Sequence, residues 1–256
     1  MIRFEGVGKI YPNGYQGLID INLEIQDGEF VGIIGTSGAG KSTLVRTING
    51  LNDVTSGNLV VNGTDVAKLK GKELRKFRRK VGMIFQSYNL VPRITVLKNV
   101  LTAVVPEMSF FKVLFGIFSK EDKIKALEAL DRMGILDKAY VRADQLSGGQ
   151  QQRVSLARTL AQDSDIILAD EPVSALDPVT AKEVMDDLKR INEELGRTIL
   201  INIHHVELAL AYASRIIAIK KGKIVYDGPS SEVTQKVLDE VYRKEEDSDP
   251  STSEEN

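Results

Sequence analysis

Gly35-Thr36-Ser37-Gly38-Ala39-Gly40-Lys41-Ser42 is the stretch that decides the fold. Its pattern is Gly, four spacers, then Gly-Lys-Ser, the spacing of a loop that cradles the phosphates of a nucleoside triphosphate. Before it stands Phe30-Val31-Gly32-Ile33-Ile34, a short apolar run that reads as a buried strand of a parallel sheet. After it, Lys41 onward reads as a helix, with Gly50 as its carboxy-terminal stop. Strand, loop and helix start aim successive backbone N–H groups, and the positive end of the helix, at one point. Gly35, Gly38 and Gly40 remove the Cβ atoms that would hold phosphate oxygens away from that backbone. Lys41 is expected on the β- and γ-phosphates and the Ser42 hydroxyl on Mg²⁺. Thr36, Ser37, Ala39 and Thr43 complete the residues expected around the nucleotide.

Further along, Ile166-Ile167-Leu168-Ala169 reads as a second buried strand, ending in Asp170-Glu171. A carboxylate there projects from the carboxyl edge of the sheet, where open α/β folds bind ligands. Asp170 is expected on the Mg²⁺ side, and Glu171 as the base that orients and deprotonates an attacking water. Gln86 follows the run Val81-Gly82-Met83-Ile84-Phe85, so its amide is expected to reach the metal or that water. Ser147-Gly148-Gly149 precedes a helix read at 150–161 and makes a second anion-accepting helix start, this one without a lysine. Asp177 is a good N-cap with Pro178 at the first helical position, ahead of a helix ending before Gly196.

Phosphate loop, Leu146-Ser147-Gly148-Gly149-Gln150, Asp170-Glu171 and His204, in that order, resemble the ATP-binding-cassette family from Tyr11 to Gly228. The resemblance implies an α/β P-loop ATPase with a mainly parallel sheet, an antiparallel β subdomain and a helical signature subdomain. It implies one ATPase domain over 1–244, with the helical subdomain at about 90–160. It gives Tyr11 the stack on adenine, and Ser147, Gly148, Gly149 and Gln150 the capping of ATP held by a partner subunit. Gln86 becomes a sensor of the membrane partner, Asp177 part of the loop that carries signals across the sandwich, and His204 the switch on the γ-phosphate. Catalytic roles thus fall on Glu171, His204 and Gln86, and metal contacts on Ser42, Gln86 and Asp170. The implied cofactors are ATP and Mg²⁺.

Composition agrees with a cytosolic chain. The 256 residues suit one domain with a subdomain and carry no cysteine and two histidines, so a thiolate or histidine zinc site is not expected. No apolar stretch is long enough to cross a bilayer, and Met1-Ile2-Arg3-Phe4-Glu5-Gly6 lacks the pattern of a signal peptide. A net charge of −2 gives no global pull toward nucleic acid. The basic run at 68–80 reads as a solvated helix face, with anionic lipid as the other reading. The acidic tail at 245–256 reads as disordered.

The alternating run 19–25, with 2–11 and 59–61, suggests an antiparallel sheet beside parallel strands at 30–34, 81–85, 166–169, 198–203 and 216–219. Ser119 and Asp122 have capping-box spacing for a helix that stops at Gly134. The segment 104–118, rich in Phe and Leu, is expected to pack within the helical subdomain, docking on a membrane subunit being the alternative.

Within the family the chain looks most like the ATP-binding subunits of phosphonate importers, on 108–122, 139–145 and Ile201-Asn202-Ile203-His204. Two features depart from them. His205 stands where those subunits have Gln, and Val173-Ser174-Ala175-Leu176-Asp177 has the general family form. The expected partners are a second copy of the chain head to tail, membrane-spanning permease subunits and, indirectly, a solute-binding protein, with no nucleic acid. The expected location is peripheral, on the cytoplasmic face of the inner membrane. An importer of another small solute, such as phosphate or a polar amino acid, stays open. A non-transport cassette ATPase would need a coiled coil or a second cassette, and a small-molecule P-loop kinase would lack 146–150.

Overall fold

Apolar runs become central strands here because both faces of their sheet are covered. The structure is a computed structural model that describes residues 1–243; the acidic tail at 245–256 lies outside the described residues. Its strands are β1 (Ile2–Ile10), β2 (Gln16–Ile25), β3 (Phe30–Ile34), β4 (Ser56–Val61) and β5 (Thr64–Asp65), then β6 (Val81–Phe85), β7 (Ile166–Asp170), β8 (Thr198–Asn202), β9 (Arg215–Lys220) and β10 (Lys223–Pro229). One sheet has the order β10-β9-β3-β8-β7-β6, parallel throughout except for the β9–β10 pair. The other, β2-β1-β4-β5, is antiparallel.

Side chains alternate across the parallel sheet as a period of two requires. Ile199, Ile201, Ile167 and Ala169 enter one apolar cluster; Leu200, Ile166 and Leu168 enter the other. Each such Ile or Leu side chain, fully buried, stabilises the fold by roughly 1.5–3 kcal/mol. Helix α1 (Lys41–Ile48) puts Leu44, Val45 and Ile48 into the second cluster, which it shares with Ile2, Phe4 and Ile21 of the antiparallel sheet. The first cluster takes in α3 (Val96–Leu101), α5 (Lys120–Arg132), α6 (Gly148–Ala161) and α7 (Pro178–Leu195). Helices α3, α5 and α6 pack against one another. The shorter helices are α2 (Gly71–Arg78), α4 (Phe110–Leu114), α8 (Val206–Tyr212) and α9 (Gln235–Tyr242).

Several expectations need correction. Strand β7 runs on through Asp170, whereas β8 stops at Asn202, one residue short of the expected 203. The helix read from Gln150 begins at Gly148, capped by Ser147. Two strands were unread. Strand β5 follows Asn62-Gly63, both at positive φ (48° and 73°), the turn chemistry of a tight hairpin. Strand β10 is an edge strand whose Lys223, Asp227 and Pro229 hide its strand character, since it pairs only with β9.

The segment 104–118 does not pack as expected. Phe111 and Phe115 are each 71% exposed, Leu114 and Ile117 more than half, and of this segment's phenylalanines whose packing is described only Phe118 reaches the core cluster. Helix α4 has five residues and is followed by Gly116 at φ 62°, too short to present an apolar stripe. The basic run does form a largely solvated face on and around α2, with Lys70, Lys72, Arg75 and Lys76 exposed. Arg78 departs from it: its guanidinium donates to the carbonyls of Asn49 (3.1 Å) and Gly50 (2.7 Å), closing the carboxyl end of α1.

Candidate functional site

The carboxyl ends of β3, β6, β7 and β8 converge, and the residues read from the sequence collect there. Gly35 follows β3 with φ 149°, and a Cβ on it would lie 2.2 Å from the Ile219 carbonyl oxygen. Gly40, at φ 113°, would put a Cβ 2.4 Å from the Gly17 carbonyl oxygen. Both glycines are therefore required by backbone on the far side of the loop, whatever the loop binds. Lys41 is only 4% exposed, and its ammonium donates to the carbonyls of Gly35 (2.8 Å) and Thr36 (2.9 Å). Burial pushes its pKa down, while the charges of Glu171 and then Asp170 push back.

Asp170, 3% exposed, is held by three residues. Ser42 Oγ donates to its Oδ1 at 2.8 Å, Asn202 Nδ2 to the same oxygen at 2.7 Å, and Arg46 Nε to Oδ2 at 3.0 Å. Asn202 Nδ2 also donates to Ser42 Oγ at 3.0 Å. A hydroxyl and a carboxylate this close are hard oxygen donors of the kind Mg²⁺ prefers. Among the described residues no three acidic or histidine side chains converge on a metal site. A divalent ion here would take few protein ligands and complete its shell with phosphate and water, which is how Mg²⁺ is usually bound.

Glu171, one residue beyond the strand, sits at φ 56°, unusual for a residue with a side chain. Its N–H donates to the Asn202 carbonyl (3.0 Å), and its carbonyl accepts from Ser174 Oγ (3.1 Å). That backbone turn brings Glu171 Oε1 to 2.7 Å from His204 Nε2. A carboxylate oriented by an imidazole at the lip of a phosphate loop can take a proton from water attacking the bound phosphate.

A cleft of about 430 Å³ joins these parts, lined by Tyr11, Ser37 to Thr43, Glu171 and His204. Tyr11 is fixed through its hydroxyl to Thr43 Oγ1 (3.0 Å). Tyr15, which the sequence reading passed over, also lines the cleft. Its ring stacks on Tyr11 with centroids 6.0 Å apart and 27° between planes, and its hydroxyl donates to the Gly38 carbonyl. Asn202 and Arg46 were missed as well. A polar residue inside the otherwise apolar 199–203, and an Arg one helical turn past Ser42, were the available signals.

Other expected residues lie outside the cleft. Gln86 is exposed after β6 and does not line it, so its expected reach to metal or water is not seen. Ser147 and Gln150 bond each other in a capping box, Ser147 N–H to Gln150 Oε1 at 3.1 Å. Gly148 and Gly149 serve packing: a Cβ would lie 2.9 Å from the Tyr88 hydroxyl and 2.2 Å from Thr180 Cγ2, respectively. Asp177 Oδ1 accepts from the N–H groups of Val179 (3.1 Å) and Thr180 (3.0 Å), and hydrogen bonding from Thr180 holds its carboxyl below the usual range. His205 is exposed and faces a groove of about 760 Å³ between α7 and α8, which His204 also lines, and it does not line the cleft.

Residues 18–174 match the family described as "ABC transporter". The chain is 78% identical over 245 residues to the "Phosphonates import ATP-binding protein PhnC" of Lactococcus lactis subsp. lactis, covering 96% of this chain and 100% of that one. It is 57% identical over 241 residues to the protein of the same name from Staphylococcus haemolyticus, covering 94% of each. Among solved structures, the ATP-binding cassette MJ0796, described as dimeric, post-hydrolysis and bound to ADP and Pi, aligns with a TM-score of 0.79 and 38% identity, covering 90% of this chain and 99% of that one. The ADP conformation of MJ1267, an ATP-binding cassette of an ABC transporter, aligns with a TM-score of 0.82 and 25% identity, covering 94% and 96%.

Proposed function

The chain belongs to the ABC transporter family, and we propose that it is the ATP-hydrolysing subunit of a phosphonate importer, working with Mg²⁺ at the cytoplasmic face of the membrane. The observation that carries the ATPase reading is the cleft in which Lys41, Glu171 and His204 meet behind a loop built on Gly35 and Gly40. The substrate reading rests on relatives at 57% and 78% identity whose names state phosphonate import. No helix among the described residues is long and apolar enough to cross a membrane, so transport requires permease subunits, and a solute-binding protein would deliver to those.

In this reading the loop N–H groups and Lys41 bind the β- and γ-phosphates, and Tyr11, extended by Tyr15, offers a face to the base. Ser42 and Asp170 hold Mg²⁺, which neutralises charge on the phosphates when bound. Glu171 Oε1 accepts the proton as water oxygen bonds to the γ-phosphorus and the bond to the bridging oxygen breaks, giving ADP and phosphate. His204 keeps Glu171 in line. Gln86, beyond β6 at the same sheet edge, and Asp177, capping α7, act in contacts with partner subunits. Ser147 to Gln150 of a second chain close the cleft over the nucleotide; pairing of two chains has a precedent in the MJ0796 cassette, which is dimeric.

His204→Ala should cut steady-state hydrolysis at least about tenfold with ATP affinity nearly unchanged, because a positioned base loses its orienting partner. His205→Ala should be mild, since that ring lies outside the cleft. Rates of both variants in the assembled transporter check this, and a larger loss from His205→Ala would reverse the assignment. For the substrate, cells relying on this chain should fail to grow on a phosphonate as sole phosphorus source when Glu171 is replaced by Gln. Normal growth would redirect the reading to another small solute.

A further inference from the structure

Asn202 closes β8 directly after Ile199, Leu200 and Ile201, all three fully buried and apolar. It is itself fully buried. An amide in that setting costs free energy unless its hydrogen bonds are made. Its NH₂ group makes two, to Asp170 Oδ1 at 2.7 Å and to Ser42 Oγ at 3.0 Å. An Asp170 carboxylate in its ion pair with Arg46 accepts only, so the atom facing it is the amide nitrogen and the amide orientation is fixed. The carbonyl oxygen Oδ1 is buried and has no hydrogen-bond partner. A buried acceptor left over beside two hard oxygen donors is unusual in a native core and fits a site that also holds a hydrated ion.

The backbone of the same residue serves the other half of the site. Asn202 stands opposite Asp170 in the β7–β8 register, and its carbonyl accepts the Glu171 N–H at 3.0 Å. Substituting the side chain leaves that backbone bond in place, so the two contributions can be separated.

We propose that Asn202 is a positioning residue for the metal site: its amide sets the Ser42 hydroxyl and the Asp170 carboxylate in the arrangement that takes Mg²⁺. This rests on the reading that Ser42 and Asp170 hold the metal. Partners that orient metal ligands in this way change metal affinity by about 10–100-fold when removed. The nucleotide's own contacts, through Lys41 and the loop N–H groups, do not involve Asn202. Its loss should therefore weaken metal-dependent binding and spare metal-free binding.

The test compares ATP affinity in Mg²⁺ with ATP affinity in EDTA, by equilibrium titration of the full chain. Two substitutions are used, Asn202→Leu, similar in volume and apolar, and Asn202→Ala, smaller and better tolerated if leucine crowds Asp170. The unsubstituted chain should bind ATP more tightly with Mg²⁺. In either folded variant, affinity in EDTA should stay within about twofold, while the gain from Mg²⁺ should fall by about 10-fold or more. A folded variant that keeps the full Mg²⁺ gain overturns the proposal and leaves a core-filling residue. A variant that loses affinity equally with and without Mg²⁺ also overturns it, since that pattern marks a disturbed loop. Absence of any Mg²⁺ gain in the unsubstituted chain sinks the metal-site reading itself and takes this proposal with it.

Discussion

Lys41→Ala is expected to weaken ATP binding by about 10- to 100-fold, on the basis of roughly 1.5–3 kcal/mol for a hydrogen bond to a charged group and about 1.4 kcal/mol per tenfold in affinity. The ammonium is not a flexible surface charge. It is buried to 4% exposure and held by the Gly35 and Thr36 carbonyls, so little side-chain entropy remains to be lost when phosphate arrives. Burial has already lowered its pKa, while the charges of Glu171 and Asp170 push back; a phosphate group would add to them. Alanine also leaves two loop carbonyls to find other donors, so thermal unfolding of the variant should be recorded beside the titration. A folded variant with unchanged ATP affinity would remove the phosphate-loop assignment.

Glu171→Gln should slow turnover by roughly 10²–10⁴-fold, the range for losing a positioned general base, with ATP affinity nearly intact. Glutamine has the same shape, and the backbone that aims the side chain is untouched: the N–H stays on the Asn202 carbonyl and the carbonyl on Ser174 Oγ. The 2.7 Å approach to His204 Nε2 can survive as an amide–imidazole hydrogen bond. What disappears is the ability to take a proton. Steady-state kcat and an independent ATP titration separate the two effects. A rate within a few-fold of the unsubstituted chain would mean another group receives the proton.

The loop at 35–42 was legible because its chemistry is local: three glycines, a lysine and a serine act on one ligand through adjacent backbone. Asp170 and Glu171 were legible because a buried strand ends on the first and the second follows it directly. Asn202 and Arg46 were not, since their importance comes from crossing to Asp170, from β8 and α1, a contact set by strand register and helix placement. Tyr15 was hidden for the same reason, its partners Tyr11 and Gly38 meeting only when the β1–β2 turn folds over the loop. Ser147, Gly148, Gly149 and Gln150 illustrate the reverse. Their pattern suggested an anion site, yet within one chain it builds a capping box and close helix packing. The apolar 111–117 misled because composition says that a segment is hydrophobic, and not that a neighbour is free to cover it.

In the proposed function one chain supplies only half of each working site. Glu171→Gln, which should hold ATP without consuming it, tests that most directly. Mixed with excess Mg²⁺ and ATP, the purified variant should double in mass by light scattering, with two nucleotides retained per pair of chains, and return to single chains when ATP is withdrawn. A variant that binds ATP fully and yet stays at the mass of one chain would contradict the shared site.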